Sequence, residues 1–82
     1  MAKADSKTIH PAQAQLLAYF DYGHLPPHLA GVARIFHDAA HETVDAVGQS
    51  PTGGAEATTA LRKLLEAKDC AVRAALPIGP VA

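Results

Sequence analysis

Two histidines one helical turn apart, His37 and His41, sit in the segment HDAAH, and the stretch around them, Phe20 to His41, gathers most of the groups able to do chemistry. Imidazoles four residues apart on a helix can address one metal ion, as in the HExxH zinc signature. The match is imperfect. The general base of that signature is a glutamate, Asp38 is a methylene shorter, and Pro26 and Pro27 break any helical spacing that could recruit His24 with His28. The pair therefore reads as a solvated or ligand-facing histidine row with no metal assigned, and a His-based metal-binding module stays open as the alternative. Upstream lie the rings of Phe20 and Tyr22, and between them and the histidines comes Arg34. Rings beside cationic groups can hold something flat and anionic, with a nucleobase stacked on the ring and phosphate charge neutralised nearby. Phe20 also has a plainer reading, as a cap on the open end of a helical domain.

Lys68 is the second unusual position, because Leu61, Leu64, Leu65, Ala71, Val72 and Ala75 surround its place on a helix. A buried unpaired ammonium is costly, so Lys68 must snorkel, pair with a carboxylate such as Asp38, Glu42 or Asp45, or meet an anion at a subunit boundary. Cys70 has no histidine at motif spacing and reads as a packing residue rather than a nucleophile.

The elements that must position these groups are helices. Ile9, Ala12, Leu16 and Phe20 recur at helical spacing, with Pro11 near the first turn and Gln13 and Gln15 expected to face water. The Pro-Pro step then stops one local structure and starts another, since Pro disfavours helix in the residue before it and suits the first helical position. Gly23 allows a bend before it. Leu29, Val32, Ala33, Phe36, Ala40, Thr43, Val44 and Val47 predict a second helix from about Pro27 to Val47, closed by Gly48 in a left-handed cap. GQSPTGG is a turn, and the last helix should run from Gly54 or Ala55 to Leu76, with Arg62–Glu66 and Asp69–Arg73 as outward ion pairs.

The fold class is thus all-α: an antiparallel helical hairpin with a short N-terminal helix, residues 9–76, flanked by a flexible N-terminus (1–8) and a flexible tail (77–82). Much of the 49% hydrophobic content is alanine, aromatics are 5%, and a domain of this size gains only roughly 3–5 kcal/mol from its core. Self-association into an oligomeric helical bundle is the natural remedy. The lone cysteine suits a reducing cytoplasm, no apolar run is long enough for a membrane span, and a net charge of −1 argues against a grip on DNA or RNA.

The chain also resembles a family. Phe20, Tyr22 and Leu25 (F-x-Y-x-x-L), followed by a helix, a turn and ALRKLLEAKDCAVRAA (Ala60–Ala75), are similar to the phage helical-hairpin sponges, the small anti-CBASS and Thoeris anti-defence proteins that sequester cyclic-nucleotide alarm signals. The resemblance covers about two thirds of the chain, Tyr19 to Leu76. It implies that Tyr22 packs against a base with Leu25 behind it. The family's basic contact, a lysine about fifteen positions further on, falls on His37, where the sequence departs from the pattern. The phosphate role then passes to His37 itself or is shared with Arg34, His41, Lys63 or Lys68. The resemblance further implies a symmetric homo-oligomer, often a hexamer, in the cytoplasm of the infected bacterium. Such a protein holds a cyclic oligonucleotide or cyclic ADP-ribose-type messenger between subunits without a cofactor and without cleaving it. A structural or protein-binding helical hairpin with no small ligand is the other alternative.

Overall fold

The computed structural model describes residues 9–77, and these form three α-helices with no strand among them: α1 (Pro11–Ala18), α2 (Pro27–Val47) and α3 (Gly54–Ala75). Both flanking segments expected to be flexible, apart from Pro77, lie outside the described residues. None of the described helices is long and apolar enough to cross a membrane.

α1 begins where Pro11 takes the first helical position and the His10 Nδ1 accepts the Ala12 N–H at 3.1 Å, satisfying one of the orphan donors of the first turn. Its inward face is Gln13, Leu17 and, just past the helix, Phe20, spaced by four and then three residues. The expectation that Gln13 faces water is overturned: it is 1% exposed, because this face docks on both long helices and Gln13 lies on it. Its amide donates weakly to the Thr58 hydroxyl at 3.4 Å, while its carbonyl oxygen has no partner.

Between α1 and α2 the chain turns at Tyr22–Leu25, closed by the Leu25 N–H on the Tyr22 carbonyl at 3.1 Å. Pro26 is extended and caps α2, whose first residue is Pro27. α2 buries Leu29, Ala33, Ala40 and Val44 and ends at Gly48. A left-handed cap does not form there, since Gly48 sits at φ −63° in the right-handed helical region. Glycine is required for room instead: a Cβ at Gly48 would lie 2.7 Å from the Gln13 side-chain oxygen and 2.7 Å from the Val44 carbonyl. In the turn that follows, the Ser50 hydroxyl accepts the Gly53 N–H at 3.0 Å, and α3 starts at Gly54 with Glu56 in the first turn, where the helix dipole favours an acid.

α2 and α3 share the most extensive helix–helix contact, and α1 lies against both. Leu17, Phe20, Ala40, Val44 and Leu61 form the centre, with Ile9, Leu16, Phe36, Leu64 and Leu65 packed around them. Of the nine buried apolar residues among those described four are alanines, so the core is as thin as composition implied, and Ile35 and Leu76 remain more than half exposed. The expected pairs Arg62–Glu66 and Asp69–Arg73 do not close. Asp69 instead lies 3.7 Å from Lys68, and Arg73 donates to the Cys70 sulfur at 3.4 Å. Exposed pairs at this spacing contribute only about 0.3–0.5 kcal/mol, too little to fix long side chains.

Leu61 is fully buried at the centre of this small core. Leu61→Ala should therefore lower stability by about 2–4 kcal/mol in urea denaturation, enough to leave much of the chain unfolded.

Candidate functional site

α2 presents two flanks beside its buried face, and one of them is polar. Residues 34, 37, 38 and 41 follow each other at helical spacing along it, and the turn at Tyr22 brings an aromatic ring against it. Tyr22 meets His37 edge to face, with ring centroids 5.1 Å apart and planes at 79°. His37 in turn lies 4.3 Å from His41, centroid to centroid. Four of the residues named from sequence, Tyr22, Arg34, His37 and His41, thus lie along one continuous patch.

The member not named among the ligand contacts is Asp38, which organises the others. Its Oδ1 lies 2.9 Å from the His37 Nδ1, and its Oδ2 lies 3.5 Å from the Arg34 guanidinium. An acid one residue after a histidine and four after an arginine is a pattern the sequence displays. A carboxylate only accepts, so it draws the imidazole hydrogen to Nδ1 and leaves the lone pair on Nε2. The Arg34–Asp38 pair is roughly half exposed on both sides and contributes little stability, but it sets the direction of both groups.

Three other candidates are placed elsewhere. Phe20 has no exposed surface, so its ring serves the core and offers no face to a ligand in this chain. Lys63 is exposed on α3, away from any hydrogen bond or ion pair among the described residues. Lys68 pairs with none of Asp38, Glu42 or Asp45. Its ammonium donates to the Tyr19 carbonyl at 2.7 Å, stands 5.9 Å from the centre of the Phe20 ring, and has Asp69 at 3.7 Å. Tyr19 is the C-cap of α1, where unpaired carbonyls and the helix dipole both favour a cation. The apolar stripe around Lys68 is therefore crossed by the end of another helix, which the periodicity of α3 alone could not reveal.

A concavity of about 820 Å³, open to solvent, lies at the other junction, lined by His10, Gln13, Ser50, Thr58, Thr59 and Arg62 among others, and includes none of the seven named residues. A patch on one helix flank makes no deep hollow in a single chain, so depth does not choose between the two places; the convergence of aromatic, imidazole and guanidinium groups favours the Tyr22 patch. Among the described residues no group of three or more His, Cys, Asp or Glu side chains is gathered as a metal cage would require. No protein-family model, no curated protein and no solved structure matches this chain.

If Lys68 clamps the end of α1, Lys68→Met keeps the stem and removes the charged hydrogen bond. Stability should fall by about 1–2 kcal/mol, and amide exchange should rise first in α1 and the Tyr22 turn, measured by hydrogen-exchange NMR.

Proposed function

We propose that this chain is a non-catalytic sponge that binds and holds a cyclic nucleotide or cyclic ADP-ribose-type messenger, as the resemblance to the phage anti-defence hairpins implies. The observation that carries the reading is the Tyr22–His37–His41 row with Arg34 joined through Asp38. Tyr22 is half-buried, so one part of its ring is held by the protein while the rest is free to meet a base. His37 Nε2 can accept a hydrogen bond from a base, His41 can donate to base or phosphate, and Arg34 supplies a permanent positive charge within the same flank.

In this reading α2 and α3 act as an antiparallel hairpin and α1 as its short N-terminal prop. The patch is a surface in one chain and becomes a pocket when further copies close over it. The alanine-rich core and the exposed Ile35 and Leu76 support assembly, because a domain of this size with so little buried aromatic area gains from burying those side chains against neighbours. A hexamer is the assembly favoured by the resemblance. Lys63, exposed and unpaired among the described residues, is available to a phosphate presented from an adjoining copy. The reading assigns the patch tight holding with slow release rather than turnover.

The test is a thermal-shift panel of cyclic dinucleotides, cyclic trinucleotides and cyclic ADP-ribose isomers, followed by heating the complex and identifying the released compound by mass spectrometry. One class should stabilise the protein and return unmodified. Tyr22→Ala should weaken its binding by about 5- to 150-fold, the range for removing one stacked base, with the oligomer unchanged by light scattering. A chemically altered product would make the protein an enzyme; loss of assembly with no ligand found would make it a structural hairpin.

A further inference from the structure

The histidine pair has a second capacity that does not depend on a nucleotide. We propose that His37 and His41 form an open two-ligand site for a borderline divalent cation of the Zn²⁺, Ni²⁺ or Cu²⁺ type, with Asp38 as the carboxylate that orients the first ligand.

The argument begins with spacing. Side chains at i and i+4 lie one above the other on a helix, and these two rings are 4.3 Å apart, close enough for one ion to bridge them. Next comes the tautomer. The 2.9 Å contact from Asp38 Oδ1 holds the hydrogen on His37 Nδ1 and leaves Nε2 as the donor, which is the carboxylate–histidine arrangement found behind metal ligands. His41 is exposed and makes no hydrogen bond among the described residues, so both its nitrogens are free to turn toward an ion. Arg34, on the same helix flank, is already answered by Asp38 Oδ2 at 3.5 Å.

Imidazole nitrogens select the class of metal. They suit Zn²⁺, Ni²⁺ and Cu²⁺, whereas Mg²⁺ and Ca²⁺ need oxygen donors. Because no third His, Cys, Asp or Glu joins the pair among the described residues, the remaining coordination positions belong to water or to an oxygen or nitrogen donor brought by another molecule. The site is therefore labile and exchangeable rather than structural.

The experiment is isothermal titration of the untagged full chain with NiCl₂, ZnCl₂ and MgCl₂ in a non-coordinating buffer at neutral pH, without nucleotide. Ni²⁺ and Zn²⁺ should each bind saturably at one ion per chain and Mg²⁺ should give no binding. His41→Ala should weaken Ni²⁺ binding by more than about tenfold, and Asp38→Asn by about 10- to 100-fold, the range for loss of an orienting carboxylate. His41 is exposed and bonded to nothing, so the first variant should keep the helical circular dichroism of the parent. The ions are titrated without nucleotide and the messenger panel is run without added metal, so failure here leaves the sponge reading standing and failure of the sponge reading leaves this one standing. Absence of saturable Ni²⁺ and Zn²⁺ binding would overturn the proposal, as would binding that persists unchanged in the His37→Ala/His41→Ala double variant.

Discussion

Removing a phenylalanine ring wholly from water contributes about 1.5–3 kcal/mol, and in this chain that contribution falls at a place where all three helices meet. Phe20 follows α1 by two residues and packs among Leu17, Ala40, Val44 and Leu61, which come from α1, α2 and α3. Among the described residues, four of the nine buried apolar side chains are alanines and no other side chain of that volume is fully enclosed. With Phe20 anchored, the next few residues have little freedom, and the turn closed between Tyr22 and Leu25 places the tyrosine ring beside α2. The residue that sequence reading offered as a stacking platform thus has another role: it fixes the platform that follows it.

The polar flank of α2 shows how a helix can carry a site without a cleft. Four positions on neighbouring turns bring a guanidinium, two imidazoles and a carboxylate into line, and the carboxylate sets the geometry by accepting from both sides. None of these contacts is worth much in stability, because the groups are partly exposed. What they supply is direction: one hydrogen placed on a chosen imidazole nitrogen and one charge held near the rings. That makes the flank receptive to a ligand with both a π-face and acceptor atoms, and equally to an ion with a preference for nitrogen.

Two polar side chains in apolar stripes met different fates for the same reason. Lys68, inside the stripe of α3, finds the bare carbonyl at the end of α1, where a cation is wanted. Gln13, on the inward face of α1, gains one long bond to Thr58 and leaves its oxygen without a partner beside Gly48, which has room for it only because it lacks a Cβ. Both hold α1 onto the rest of the domain. In a protein with so little core, such links between helices count for a larger share of the total than they would in a bigger one.

The order and extent of the helices were legible in the sequence, since Pro27 opens α2, Pro11 opens α1 and the glycine-rich turn separates two long periodic runs. These are local effects, in which backbone restriction and period act within a few residues. The row Tyr22, Arg34, His37 and His41 was legible for a similar reason: three of its members share one helix flank, and the Pro-Pro step keeps the fourth close. The inward face of α1 was legible only in part: Phe20 is buried and Ile9 and Leu16 pack against the core, but Gln13 and Leu17 at its centre were not foreseen, because eight residues are too few for periodicity to distinguish 9, 12, 16 and 20 from 13, 17 and 20. The partner of Lys68 lies 49 residues away, the shape of Gly48 depends on a side chain from another helix, and the surface of Phe20 vanishes only when three helices close on it. Local rules fix which residues share a helix face, whereas what each face meets is decided by contacts between distant segments, which exist only once the chain has packed.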